Sequence, residues 1–173
     1  MQIFDIKTIK KIQANHARLQ KRLNIKIEIS GKKIEVTEGE EYNKYIAESV
    51  FEAIDKGFSI DVALLLLNED YIFEEIPIKD FTRKKDLTSV KARIIGKKGR
   101  TLEVMRELSD CFITLKGSLV NIIGPAEKIK DAQNAITNLI HGSKTSKVYG
   151  YLERARKKPQ PEDLGLKIKE EKE

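Results

Sequence analysis

The chain has 173 residues, a length that suits two small domains, and it carries a formal net charge of +6. Its one cysteine, Cys111, excludes a disulfide framework and favours a reducing, cytoplasmic setting. Residues 62–67 form the longest apolar run, which is far too short to cross a bilayer, and the first residues lack the pattern of a signal peptide. We therefore expect no membrane partner.

Residues 1–57 are expected to form the first domain. Residues 25–29 alternate apolar and polar side chains as a half-buried strand does, and residues 33–37 return as a second strand after a turn at Gly31. Apolar side chains then recur at helical spacing over residues 42–54. The pattern predicts a small α+β unit.

Residues 58–70 are expected to be a helix that links the first domain to the second. Ser59 or Asp61 can cap its first turn, and the leucines at 64–67 make it apolar around most of its circumference. Such a helix is buried on both sides, so we expect a rigid link rather than a flexible tether.

Residues 71–158 are expected to form the second domain. Its predicted elements, in chain order, are a strand over residues 71–81, a helix over 86–95, a helix of about ten residues after Gly99, strands over 111–116 and 119–124, and a helix that begins near Pro125 and ends near Gly142. The order of these elements is βααββα.

The motif Gly96-Lys97-Lys98-Gly99 lies between the two helices of this pattern. Glycine reaches backbone angles that are closed to other residues, and it lets a phosphate approach the main chain. The N–H groups at the start of the next helix would point at that phosphate, and the two lysines add positive charge. A lone G-x-x-G fits any solvated turn, but in the order βααββα it is typical of a type I KH domain. That domain clamps about four nucleotides of single-stranded RNA.

A shift of 86 residues lays the first domain over the second, with Ile9 on Ile95 and Leu19 on Met105. We therefore predict two tandem type I KH-like domains, of which the first is degenerate. The same shift puts residues 10–13, which include no glycine, where the loop belongs. The first domain is then a scaffold or a protein-docking surface, and a plain α+β domain is the alternative interpretation.

Charge is distributed unevenly along the chain. Residues 83–158 contain 18 lysines and arginines against 7 acidic residues, whereas residues 38–80 contain 3 against 12. The basic block coincides with the glycine loop and suits the phosphates of a nucleic acid. A solvated lysine-rich surface has the same composition and remains the alternative.

Aromatic and basic side chains alternate near the end of the second domain. Tyr149 and Tyr151 beside Arg154 and Arg156 can stack on bases and pair with phosphates, or the tyrosines can pack against the domain. Residues 159–173 have the composition of a disordered tail.

Taken together, residues 57–71, 93–99 and 148–154 resemble the two-KH ribosome-assembly factors. These are the archaeal relatives of the eukaryotic protein that partners the pre-rRNA dimethylase and the Nob endonuclease. The resemblance covers roughly residues 51–156. It implies binding of small-subunit ribosomal RNA near its 3′ end, delivery of that end to a maturation endonuclease, and contact with the α subunit of archaeal initiation factor two. The first domain departs from the family, whose archaeal members often keep a glycine loop there.

The sequence offers no pattern for catalysis, a metal or a cofactor, because His16 and His141 lack metal-site spacing and residues 96–101 do not form a P-loop. Two hypotheses follow: a single-stranded RNA-binding assembly factor, or a protein adaptor that works through the first domain and its acidic helix. The residues expected to bind RNA are Arg93, Ile95, Gly96, Lys97, Lys98, Gly99, Arg100, Leu102, Ile113, Leu115, Lys116, Arg154 and Arg156.

Overall fold

The computed structural model describes residues 2–157, which form two α+β domains with the same order of elements, βααββα. The first domain consists of β1 (Gln2–Ile3), α1 (Ile6–Ala14), α2 (His16–Leu23), β2 (Lys26–Ser30), β3 (Lys33–Glu38) and α3 (Glu41–Asp55). Its three strands form an antiparallel sheet in the order β1-β3-β2.

The connection to the second domain is a short helix, α4 (Ile60–Ala63), followed by a 3₁₀ helix (Leu64–Leu67). The Ser59 hydroxyl caps α4 by accepting a hydrogen bond from the Val62 N–H at 3.2 Å, as the sequence predicted. Leu64 and Leu66 are buried, which confirms the burial expected for this leucine run. The continuous helix predicted over residues 58–70 is wrong, because the regular α-helix lasts only one turn.

The second domain repeats the first. Its elements are β4 (Tyr71–Pro77), a 3₁₀ helix (Ile78–Phe81), α5 (Thr88–Ile95), a 3₁₀ turn (Lys97–Gly99), α6 (Arg100–Ser109), β5 (Phe112–Lys116), β6 (Leu119–Pro125), α7 (Ala126–Ile140) and α8 (Thr145–Arg156). The sheet is again antiparallel, in the order β4-β6-β5. Asn24 and Asp110, which end α2 and α6, lie 86 positions apart and share a left-handed φ of +52°. The repeat predicted from the sequence is therefore confirmed.

Two boundaries differ from the prediction. The strand expected to reach residue 81 ends at Pro77, since proline lacks the N–H that would continue the ladder and Ile78 turns inward, fully buried, to start a 3₁₀ helix. The helix expected from residue 86 begins at Thr88, because the Asp86 carboxylate accepts a hydrogen bond from the Thr88 N–H at 2.9 Å. The predicted tail, residues 159–173, lies outside the described residues.

Each face of the second sheet is covered. Ile76, Ile113 and Ile122 lie on the face that packs against α5, α6 and α7. On the opposite face, Phe73 and Ile123 pair across β4 and β6 and pack into the core of the first domain. The rings of Phe58 and Phe73 meet edge to face, with their centroids 6.1 Å apart. The two domains therefore share one apolar interface.

Within residues 2–157, no helix is both long enough and apolar enough to span a bilayer.

Candidate nucleic-acid interface

The glycine loop connects α5 to α6, and its two glycines have different reasons to be glycine. Gly96 has a φ of +75° and a ψ of 175°, and a Cβ built there would lie 2.1 Å from the Thr101 hydroxyl oxygen. Gly99 has a φ of +79°, but a Cβ there would meet nothing within 4 Å. Gly96 is thus required for the packing of the loop onto α6, whereas Gly99 keeps the space beside the loop open to a ligand.

The amide groups of the loop are partly used within it. The Gly99 N–H donates to the Gly96 carbonyl at 3.2 Å, and the Arg100 N–H donates to the Lys97 carbonyl. This differs from the expectation that the first N–H groups of α6 are free to hold a phosphate. The positive end of α6 and the exposed side chains of Lys97 and Lys98 remain available for that purpose.

The loop opens onto a cleft of about 530 Å³ that lies between the two domains. Ile95, Leu102 and Leu115 of the second domain give the cleft an apolar floor, and Ile95 remains 38% exposed beside the loop. The structure thus brings together these three residues, all predicted from the sequence. An apolar floor next to exposed lysines can accept unstacked bases while the phosphates stay in solvent.

Arg106 also lines this cleft, and the sequence analysis missed it. It follows Leu102 by four positions on α6, so both side chains lie on one helix face, and this spacing is the signal that could have found it. Its Nε atom donates a hydrogen bond to the Ile113 carbonyl at 2.8 Å, and its Nη2 atom donates to the same oxygen. Because β5 is an edge strand of its sheet, Arg106 satisfies a carbonyl that pairs with no strand.

Lys116 lies in the same cleft but is tied to the first domain. Its ammonium lies 3.2 Å from the Asp5 carboxylate and 3.1 Å from that of Asp55, and it also donates to the Asp55 main-chain carbonyl. Partial burial alone would lower the pKa of Lys116, but the hydrogen bonds to Asp55 and Asp5 outweigh it and raise the pKa. Lys116 is therefore a bridge between the domains, and its charge is already compensated.

The partners of Lys116 are fixed in turn by α1. The Asp5 carboxylate caps this helix by accepting from the Thr8 N–H at 2.7 Å, and the Thr8 hydroxyl donates to Asp55 at 2.9 Å. The hydrogen bond from Thr8 and the ammonium of Lys116 lower the pKa of Asp5 to about 2. This polar network holds the start of α1 against the end of β5.

Two other predicted RNA contacts have structural roles. Ile113 is only 1% exposed and packs in the core of the second domain, so its side chain offers no surface to a base. Arg93 donates to the Leu139 carbonyl at 3.3 Å and lies beside Gly142, so it satisfies the end of α7. Both were misassigned because their strand and helix patterns show periodicity but not the neighbouring element.

The basic residues of α8 are not brought to the loop as one group. Arg156 lies 3.9 Å from the Asp110 carboxylate, at the opposite end of α6 from the glycine loop, and α6 is about 15 Å long. Arg154 is exposed on the same helix. Tyr149 packs partly buried against the core, and the Tyr151 hydroxyl donates to Asp131, which agrees with the packing alternative for these tyrosines.

The first domain has no counterpart of the glycine loop. Residues 10–13, which the 86-residue shift aligns with it, are a continuous part of α1. The helix instead meets α2 at the single junction residue Asn15, whose side chain donates back to the Lys11 carbonyl. A phosphate-binding turn of the GKKG kind is thus replaced by an extra helical turn.

Comparison with known proteins agrees with this geometry. The family model for the second KH domain of Pno1, described as a eukaryotic-type KH domain (KH-domain type I), matches residues 72–157. A KH domain-containing protein of Methanocaldococcus jannaschii is 30% identical over 81% of this chain and 64% of its own length. The pre-rRNA-processing protein pno1 of Aspergillus fumigatus is 35% identical over 79% of this chain and 56% of its own length. The chain therefore spans less than two thirds of these relatives.

A solved structure covers more of the molecule. In the complex of a/eIF2α, aDim2p and rRNA from Pyrococcus horikoshii, the matching chain is 31% identical. It superposes with a TM-score of 0.79 over 90% of this chain and 92% of its own length. The likeness extends over both domains, including the one without a glycine loop.

Proposed function

Because the chain belongs to the family of two-KH proteins that includes Pno1 and archaeal Dim2p, we propose that it binds single-stranded RNA during assembly of the small ribosomal subunit. The observation that carries this proposal is the exposed Lys97-Lys98 turn that opens onto the apolar cleft at Ile95 and Leu102. The role is one of binding rather than catalysis, and its place is the cytoplasm, in keeping with the single buried cysteine, Cys111.

The RNA that we assign to the cleft is the unpaired 3′ region of the small-subunit ribosomal RNA. The support is the Pyrococcus horikoshii relative, which forms a complex with rRNA and the α subunit of initiation factor two. We assign the same α subunit to this chain as a partner, and a maturation endonuclease as the protein that receives the bound RNA end.

The shape of the cleft favours single strands over duplexes. Its floor of aliphatic side chains offers contact to the faces and edges of unstacked bases, which a duplex turns inward. Phosphates on the open side can then meet Lys97 and Lys98.

Competition binding tests the proposal. A labelled RNA that matches the 3′ end of the small-subunit rRNA should be displaced by the same unlabelled single strand, and only weakly by that sequence in a hairpin stem. The double variant Lys97→Asp, Lys98→Asp should lose the binding while its circular dichroism stays that of the parent. Equal displacement by the stem, or full binding by the double variant, would refute the proposal.

One observation favours a second function, the protein adaptor. Tyr42 and Tyr45 on α3 are 55% and 67% exposed, and they lie one turn apart beside Glu41 and Glu48. An acidic surface with exposed aromatic rings suits a basic protein segment. If Tyr42→Ala with Tyr45→Ala abolishes binding of the α subunit and leaves RNA binding intact, this surface serves a protein partner. An unchanged affinity for that subunit would refute this assignment.

A further inference from the structure

The domain without a glycine loop also takes part in forming the cleft. We infer that α1 of the first domain is the second wall of the RNA site and that Lys7, supported by Lys11, binds a phosphate of the same strand that the GKKG loop holds. The inference rests on the proposed function, and it assigns RNA contacts to a domain that the sequence predicted to be a scaffold or a protein-docking surface.

The first support is the position of α1. Lys7 and Lys11 are four residues apart, so both lie on one face of this helix, and both line the cleft together with Ile95 and Leu102 of the second domain. The Lys116–Asp5 ion pair joins the first residues of α1 to β5. The wall is therefore held in place before any ligand arrives.

The second support is the balance of charge inside the cleft. Lys116 is neutralised by Asp5 and Asp55, and Lys56 lies 2.5 Å from the Glu75 carboxylate. Within residues 2–157, the other cations that line the cleft have no carboxylate at ion-pair distance; they are Lys7, Lys11 and Arg106. Lys11 donates to the Phe58 carbonyl, which leaves Lys7 as the α1 cation with no polar partner in the described part of the chain.

The remaining positive charge thus lies on two facing walls with an apolar floor between them. Lys7 and Lys11 belong to the first domain, and Arg106 belongs to the second. A single-stranded polynucleotide matches this arrangement because its bases are apolar on their faces and its phosphates follow one another along a flexible backbone. The cleft is also continuous with the GKKG loop through Ile95, which directly precedes Gly96.

The test compares Lys7→Ala with Lys10→Ala. Lys10 is a matched control, because it is an exposed lysine on the same helix that does not line the cleft. For single strands, each phosphate contact contributes about 0.7 to the slope of log affinity against log salt. Loss of one contact should therefore weaken binding about fivefold at 0.1 M salt, relative to a 1 M reference, and reduce the slope by about 0.7. Lys10→Ala should change neither value, and Lys7→Arg should restore both.

Three results would be decisive. If Lys7→Ala matches Lys10→Ala in affinity and slope, while the Lys97→Asp, Lys98→Asp variant loses binding, the second wall is refuted and the proposed function stands. If the Lys97→Asp, Lys98→Asp variant binds fully, the proposed function itself fails. If an oligoglutamate peptide displaces the RNA from the parent and binds less well to Lys7→Ala, the cleft is a site for acidic peptides and the inference is overturned.

Discussion

Replacing Gly96 by alanine should destabilise the second domain far more than the same change at Gly99. The φ and ψ of Gly96, +75° and 175°, belong to a region that is essentially restricted to glycine, so a side chain there costs about 1–3 kcal/mol in backbone strain. The new methyl group would also lie 2.1 Å from the Thr101 hydroxyl oxygen and 2.7 Å from the Thr101 nitrogen. Overpacking of this kind costs about another 1–3 kcal/mol. We expect a total loss of about 4 kcal/mol in the free energy of unfolding.

Gly99→Ala is the matched control because a methyl group at Gly99 meets only open space. Its φ of +79° and ψ of 3° are close to the left-handed helical region, where an alanine costs about 1–2 kcal/mol. Urea unfolding followed by circular dichroism measures both variants. An equal loss of stability in the two would show that contact with Thr101 does not decide the identity of residue 96.

A second substitution separates the two causes at Gly96. Thr101→Ala in the Gly96→Ala background removes the hydroxyl oxygen but leaves the main-chain nitrogen at 2.7 Å, and it does not change the backbone angles. Only part of the lost stability should return. Complete recovery would mean that the clash with the hydroxyl group was the whole effect and that backbone strain contributes nothing.

Three further predictions concern charge. If three or four phosphates are held, log affinity for single-stranded RNA should fall against log salt with a slope of about −2 to −3, and a flat response would exclude backbone binding. The pKa of Asp5, lowered to about 2 from 3.8, makes its contribution to stability complete above about pH 4 and lost as the pH falls through 2. The stability difference between the parent and Asp5→Asn at pH 5 should therefore close by pH 2, and a constant difference would contradict this. Lys116→Met should raise the pKa of Asp5, measured by ¹³C NMR, because the carboxylate loses its cation while Asp55 stays nearby.

The fold could be predicted to within a few residues because its signals are local. Strand alternation, the turn at Gly117 and the helix that follows Pro125 are each set by neighbours in the sequence, and the two domains supply the same pattern twice. The GKKG loop was found for the same reason. Its position between two helices follows from residues less than twenty positions away.

The residues that were misassigned depend on distant partners. Lys116 was expected to meet a phosphate, but it pairs with Asp5 and Asp55, which are 111 and 61 positions earlier in the chain. No periodicity in β5 indicates which helix lies across its end. Ile113 and Leu115 alternate alike, yet one is in the core and the other lines the cleft, because the sheet meets α6 at an angle that the sequence does not encode locally.

The shared apolar interface has a consequence during synthesis. Ile123 on β6 is part of the core that Phe51, Phe58 and Leu64 belong to, so that core is incomplete until about 125 residues have left the ribosomal tunnel. Until then, the nascent chain carries an uncovered greasy surface and depends on shielding by the ribosome or by chaperones. Changes that slow translation between Leu67 and Ile123 should therefore lower the yield of folded protein without altering a single contact in it.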